Sequence, residues 1–250
     1  FQSGGLLSRR RTPAVKDVSF ELRDGETYGL VGESGSGKST TGRMLAGLTK
    51  PDAGEVRYEG RNLWTLAGED RRSARRNIQF VFQDPYSSFN PKIRIGDALE
   101  EPLVIHRLGS RAERKEKTVR MLEAVGLRPD HLFRYPHELS GGQRQRLSLA
   151  RALILEPKVL LCDEPVSALD VSIQSQILNM LKRLKRELGL TMLFITHDMG
   201  VVRYISDRIG VMYMGTLVEE AETDDLFREP LHPYTRALLA AVPDLSDDRQ

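Results

Sequence analysis

Four short apolar runs punctuate the chain: Thr27–Val31, Phe80–Phe82, Val159–Cys162 and Thr191–Ile195. Each has the length of a strand and is apolar at consecutive positions. Both faces of each are therefore expected to be buried, as in a parallel sheet covered on two sides. Each run is followed at once by glycine-rich or polar residues: Gly32-Glu33-Ser34-Gly35, Gln83-Asp84, Asp163-Glu164 and Thr196-His197-Asp198. Open α/β sheets bind ligands beyond the carboxyl ends of their strands. The pattern thus predicts four strands that deliver polar groups to one place.

Between these runs the period changes. Ile173, Ile177, Met180, Leu181, Leu184 and Leu188 recur at helical spacing, and Gly189 stands where such a helix stops. Ser110-Arg-Ala-Glu113 is a capping box for a helix expected to run to Gly126. Residues 85–155 carry helical patterning broken by Pro and Gly, with no strand-like run, and read as a helical insertion between two strands. Short strands are predicted within 14–30 and 55–63, with turns at Asp24-Gly25 and Glu59-Gly60. Phe20 reads as a core residue of such a strand, Val18–Leu22. No repeat or low-complexity tract is visible.

Composition narrows the class. The 250 residues are 40% apolar and 29% charged, which suits one large domain or two small lobes and excludes a mainly disordered chain. The longest apolar run, Ala237 to Val242, is far short of the ~20 residues of a membrane-spanning helix. A net charge of +2 gives no sign of nucleic-acid binding. Cys162 is the only cysteine, which excludes an intrachain disulfide and a cysteine-based zinc site, and a reducing, cytoplasmic setting fits. The opening does not read as a signal peptide. A start at Phe1 and a polar end, Ser246 to Gln250, suggest a fragment or one half of a longer polypeptide.

The chemistry begins at Gly32-Glu33-Ser34-Gly35-Ser36-Gly37-Lys38-Ser39, which fits G-x-x-x-x-G-K-[ST] at every position. Glycines let the backbone curl so that successive N–H groups point at phosphate oxygens. The helix expected to start near Lys38 adds its positive dipole end. Lys38 is placed to reach the β- and γ-phosphates, and the Ser39 hydroxyl to ligate Mg²⁺. Asp163 and Glu164 follow a fully apolar strand. The first carboxylate suits Mg²⁺ and the second suits polarising an attacking water as general base.

Leu139-Ser140-Gly141-Gly142-Gln143 resembles the signature of the ATP-binding-cassette (ABC) ATPases. The resemblance spans nearly the whole chain, in the family's order. The phosphate loop Gly32–Thr40 comes first, then Gln83 as the Q-loop and the signature. Asp163-Glu164 as Walker B, Ser167–Asp170 as the D-loop and His197 as the switch follow. The resemblance implies an α/β fold: a RecA-like P-loop NTPase core with a small antiparallel β-subdomain, from 1–83 and 156–250, and an inserted helical signature subdomain, 84–155. It implies that Gly32, Glu33, Ser34, Gly35, Ser36, Gly37, Lys38, Ser39, Thr40 and Asp163 bind ATP, and that Ser39, Gln83 and Asp163 hold Mg²⁺. Glu164, His197 and Gln83 become the catalytic group. Ser140, Gly141, Gly142 and Gln143 open a helix expected over Gln143–Leu155 and make a second anion site, which in the family closes over ATP bound to a partner subunit. Asp170 is expected at that interface. The family also stacks adenine on an upstream aromatic, for which Phe1 is the candidate.

Several longer stretches resemble the oligopeptide/dipeptide import ATPases. These are Gln83 to Pro91, Gly96-Asp-Ala98, Glu101-Pro102, Tyr135 to Glu138, Gly215 to Glu220 and His232 to Leu239. The resemblance implies an ATP-hydrolysing subunit that powers peptide import from the cytoplasmic face of the membrane. Its partners would be a second ABC ATPase domain (identical, different or fused), membrane permease subunits and, indirectly, a solute-binding protein, with no nucleic acid. Nickel and glutathione import ATPases share these stretches. A cassette of DNA repair or translation would be expected to carry coiled-coil, zinc or basic linker insertions, and none is seen. A non-hydrolysing half is disfavoured by intact Lys38, Gln83, Ser140, Glu164 and His197.

Other features read as structure. Cys162 is a core residue of its strand. His137-Glu138 opens like a zinc-protease motif, but Gly141 stands where the second histidine is needed. Arg71-Arg72 and Arg75-Arg76 suit a solvated helix face, as does Arg111–Arg120, and Arg9-Arg10-Arg11 a surface loop.

Overall fold

The computed structural model describes residues 13–86 and 88–241. The phosphate-loop strand β1 (Thr27–Val31) is followed by helix α1 (Lys38–Leu45), the hairpin β2 (Arg57–Tyr58) and β3 (Arg61–Asn62), helix α2 (Gly68–Asn77) and strand β4 (Ile78–Val81). Helices α3 (Ile95–Ile105), α4 (Arg111–Ala124) and α5 (Gly141–Leu153) intervene, with two 3₁₀ turns, before β5 (Val159–Asp163). Then come α6 (Val171–Leu188), β6 (Thr191–Thr196), α7 (Met199–Ile205), β7 (Arg208–Tyr213), β8 (Thr216–Glu222), α8 (Thr223–Arg228) and α9 (Pro233–Ala240). The main sheet has the order β4-β5-β6-β1-β7-β8. All its pairings are parallel except β7 with β8.

Alternation along the strands builds two cores. Leu160, Cys162, Met192 and Phe194 point to one face, into a cluster with Ile177, Leu181 and Leu184 of α6. Leu161, Leu193 and Ile195 point to the other, with Tyr28 and Leu30 of β1 and Leu45 of α1. Period-two alternation of this kind explains why the strands are apolar throughout. Helix α1 lies very close to the sheet, because a Cβ on Gly42 would stand 2.7 Å from Ile195 Cδ1. Cys162 is fully buried, and burial pushes its thiol pKa up.

The four apolar runs are strands, and Gly189 ends α6 with φ 63°, a conformation glycine adopts without penalty. The Ser110 capping box is present. Two expectations change among the described residues. Residues 14–26 form no ladder with any of them, although Val18, Phe20 and Leu22 pack on the core and Phe20 stacks on Tyr28 at 4.9 Å. The segment's backbone meets other elements at its ends, where the Lys16 amide donates to the Gly215 carbonyl at 2.7 Å and the Glu26 carbonyl accepts from the Met192 amide at 2.8 Å. Among the described residues the antiparallel part outside the main sheet is the two-residue pairing of β2 with β3. Strands β7 and β8 lie outside the apolar runs: β7 opens with Arg208, and β8 carries Glu219, Glu220 and Glu222 on a half-exposed edge. Phe1 and Arg9-Arg10-Arg11 lie outside the described residues.

Arg208 explains why a strand can open with a charge. Its side chain is 9% exposed and donates to Glu26 at 3.2 Å and to Glu220 of β8. Removing one partner of a buried ion pair strands the others. Arg208→Ala is expected to cost about 3 kcal/mol, read as a lower urea midpoint without change in the slope.

Candidate active site

Register places the site. Leu30 of β1 and Asp163 of β5 both pair with Ile195 of β6, so three strands end level. The residues that follow those ends are Gly32, Glu164 and His197, while Gln83 follows β4.

The phosphate loop is folded and braced from behind. Gly32 has φ 148°, and a Cβ there would stand 2.1 Å from the Met212 carbonyl, so only glycine fits. The Ser36 carbonyl accepts from the Gly215 amide at 3.0 Å, and Gly37 passes under the Ala14 carbonyl. Lys38 Nζ turns back over the loop and donates to the carbonyls of Gly32 at 2.6 Å and Glu33 at 2.8 Å, and to Ser36 Oγ at 3.3 Å. Burial lowers the Lys38 pKa, opposed by the carboxylates of Glu164, Asp163 and Glu33. Ser34 and Gly35 are exposed, whereas Ser39 and Thr40 are half-buried in the first turn of α1.

Ser39 Oγ donates to Asp163 Oδ1 at 2.8 Å. Asp163 is 2% exposed, and burial raises its pKa, partly offset by that hydrogen bond. Glu164 has φ 47°, the left-handed region that a non-glycine residue occupies only under constraint. Its amide donates to the Ile195 carbonyl at 2.9 Å, and its own carbonyl accepts from Ser167 Oγ at 3.1 Å. The turned backbone presents the carboxylate to two neighbours: Gln83 Nε2 donates to Oε2 at 2.9 Å, and His197 Nδ1 lies 3.1 Å from Oε1. Sequence reasoning named all of these residues, and the structure gathers them at one edge.

The signature lies elsewhere in the chain. Ser140 caps α5: the Gln143 amide donates to Ser140 Oγ at 3.3 Å, and Gln143 Oε1 accepts from the Ser140 amide at 3.0 Å. The glycine pair packs on the start of α6, where a Cβ on Gly142 would meet Ile173 Cγ2 at 2.6 Å. Among the described residues no hydrogen bond joins Ser140, Gly141, Gly142 or Gln143 to the phosphate loop, and the Gly141 and Gly142 amides have no partner. Asp170 precedes α6 and is exposed.

Two contacts escaped sequence reasoning. The Glu33 amide donates to Tyr234 Oη at 2.8 Å, and Arg144 Nη2 donates to Tyr86 Oη at 2.7 Å. Both tyrosines sit in stretches that stood out only as resemblance, and no local pattern announces a partner so far along the chain.

A parallel sheet with a phosphate loop after its central strand, and an acidic pair two strands away, defines a RecA-like P-loop nucleotide hydrolase. The comparisons with known proteins give the branch. A family model described as ABC transporter matches residues 15–167, and one described as oligopeptide/dipeptide transporter, C-terminal region, matches 218–250. The chain belongs to the ABC transporter family, as one of its ATP-binding, ATP-hydrolysing cassettes. It is 52% identical to the putative oligopeptide transport ATP-binding protein YkfD of Bacillus subtilis (strain 168), over 97% of this chain and 75% of that one. It is also 52% identical to the glutathione import ATP-binding protein GsiA of Pectobacterium atrosepticum, over 96% of this chain but only 39% of that longer protein. Among solved structures, the dimeric post-hydrolysis state of the cassette MJ0796 bound to ADP and Pi superposes with TM-score 0.76 at 34% identity, covering 84% of this chain and 90% of that one.

Burial of Asp163 has a cost that is measurable without ligand. As pH rises through the ordinary carboxylate range, the unfolded chain releases this proton before the folded chain does, so ionisation subtracts stability. Asp163→Asn keeps an oxygen for Ser39 and removes the charge. At neutral pH, free of nucleotide and divalent cations, the variant is expected to melt a few degrees above the parent while losing ATP hydrolysis. Calorimetry with a phosphate-release assay checks both.

Proposed function

We propose that this chain is the ATP-hydrolysing subunit of an importer of di- and oligopeptides. Glu164, suspended between Gln83 and His197 beside the Ser39–Asp163 pair, is the observation that carries the hydrolytic half of the reading. The match over 218–250 and the oligopeptide transport relative support the cargo class. Glutathione is itself a small peptide, and the relative named for its import is equally similar, so it is the second cargo to test.

In the proposed cycle the loop from Gly32 to Thr40 cradles the triphosphate with those of its amides that have no partner within the chain, and Lys38 faces its β- and γ-phosphates. A water attacks the γ-phosphorus as Glu164 draws on its proton. The bond from the γ-phosphorus to the β–γ bridging oxygen breaks, and ADP and phosphate are the products. His197 steadies Glu164. Ser39 hydroxyl, Asp163 carboxylate and the amide oxygen of Gln83 form an all-oxygen donor set that suits Mg²⁺. When bound, the ion would neutralise charge on the β- and γ-phosphate oxygens.

The unpartnered amides of Gly141 and Gly142, at the positive end of α5, cap the γ-phosphate held by a second cassette, with Asp170 at the shared interface. Residues 84–155 act as the lobe that carries this cap. Between that lobe and the core lies a groove of about 760 Å³, whose lining mixes apolar residues such as Leu48, Phe82 and Ile105 with Arg75, Glu101 and Arg151. Leu48 is 54% exposed and Ile105 66% exposed. We assign the groove to a helix of the permease reaching into the cytoplasm. Among the described residues no helix is long and apolar enough to cross a membrane. The proposed seat of the chain is peripheral, on the permease subunits at the cytoplasmic face.

Glu164→Gln is expected to slow hydrolysis about 10²- to 10⁴-fold, the usual weight of a general base, and to leave an ATP-dependent dimer visible by size exclusion. Turnover at the parent rate would remove Glu164 as the base. In cells carrying the cognate permease, the same variant should abolish uptake of labelled dipeptides. Uptake of labelled glutathione in place of dipeptides would move the cargo to the second reading.

A further inference from the structure

Helix α9 lies in the stretch that matches the oligopeptide/dipeptide transporter C-terminal region, and it reaches the phosphate loop. Tyr234 Oη accepts from the Glu33 amide at 2.8 Å, across 201 positions of sequence. The carbonyl of the same Glu33 accepts from Lys38 Nζ at 2.8 Å. Glu33 is therefore gripped at both ends, by a phenol behind the loop and by the ammonium group in front of it.

Tyr234 is itself well fixed. Its ring lies 4.4 Å from that of Tyr213 at the end of β7, next to Met212, whose carbonyl abuts Gly32. Its amide donates to His232 Nδ1 at 3.2 Å. The Glu219 carboxylate of β8 accepts from the Leu231 and His232 amides at 2.8 and 3.0 Å. Burial raises the phenol's pKa, which keeps the hydroxyl neutral. By contrast, Glu33 is exposed, so water can replace the phenol as partner of its amide with little effect on the fold. What water cannot supply is a fixed position.

We infer that Tyr234 is a positioning residue for nucleotide binding: through Glu33 it fixes one of the carbonyls on which Lys38 rests, and so ties the C-terminal element to the grip on the phosphates. The inference deepens, and rests on, the reading of this loop as the ATP cradle.

Tyr234→Ala would remove the ring from Tyr213 and disturb packing, so the informative variant is Tyr234→Phe, which deletes only the hydroxyl. The measurements are ATP affinity, the KM and kcat of hydrolysis, and Tm, on the full chain. Loss of one ordered hydrogen bond is expected to raise Kd and KM for ATP about three- to tenfold. The kcat should stay within about twofold and Tm within about 2 °C, the scale of less than 1 kcal/mol for a chain of this size. An unchanged KM would overturn the inference. So would a KM rise that comes with a fall in kcat and a lower Tm, since that is loosened packing. If the parent chain itself fails to bind ATP, the cradle reading falls and this inference with it. If the parent binds and Tyr234→Phe binds equally well, only the positioning role falls.

Discussion

Parallel pairing sets Leu30, Ile195 and Asp163 side by side across β1, β6 and β5. Side chains alternate faces along a strand, so a slip of one residue would exchange the two cores and carry Asp163 to the wrong side of the sheet. With the register held by buried residues on both faces, the first polar groups past the strand ends meet without adjustable loops. The contacts of 2.8 to 3.1 Å among Ser39, Asp163, Gln83, Glu164 and His197 are consequences of that alignment. Close approach of α1 at Gly42 completes it, by bringing Ser39 across β6 to Asp163.

The same alignment buries charge. Lys38 is 4% exposed and Asp163 2%. Burial disfavours both ionised forms, lowering the pKa of the lysine and raising that of the aspartate. The loop carbonyls solvate the ammonium group, and the Ser39 hydroxyl solvates the carboxylate, but neither group has its counter-charge in hydrogen-bond contact. In the proposed cycle a triphosphate would bring negative charge to Lys38, and a divalent cation would bring positive charge to Asp163. Each ligand relieves a cost that the fold already carries, which is how a site can be selective for the pair.

Much of this was legible in the chain because the physics is local. A parallel strand buried on two sides must be apolar throughout, and a phosphate loop needs its glycines in one unbroken string. What stayed hidden depends on distant partners. Arg208 opens a strand because Glu220 across the β7–β8 hairpin and Glu26, 182 positions earlier, are waiting for it. Val18, Phe20 and Leu22 alternate like a strand, and that alternation reports which side chains face the core. Tyr234 is invisible because nothing in residues 232–239 points to an amide 201 positions earlier.

Gln83 stands between the two halves of the chemistry. Its amide holds Glu164 at 2.9 Å. Three residues on, Tyr86 lies under the Arg144 guanidinium, 3.6 Å from ring centroid to Cζ, and accepts a hydrogen bond from it. Arg151, two turns along the same helix α5, donates to the Ser88 carbonyl at 2.5 Å. The segment after Gln83 is thus fastened to helix α5, while Gln83 itself is fastened to Glu164. Each Glu164 oxygen accepts one contact here and keeps a second lone pair, so a water can be held without breaking either. In the proposed cycle, movement of α5 toward a partner's nucleotide would be passed to Glu164, because the hydrogen bonds from Arg144 to Tyr86 and from Gln83 to Glu164 lie at the two ends of one short stretch of chain. Hydrolysis in the proposed cycle is therefore conditional on closure through bonds that are in place before any nucleotide arrives.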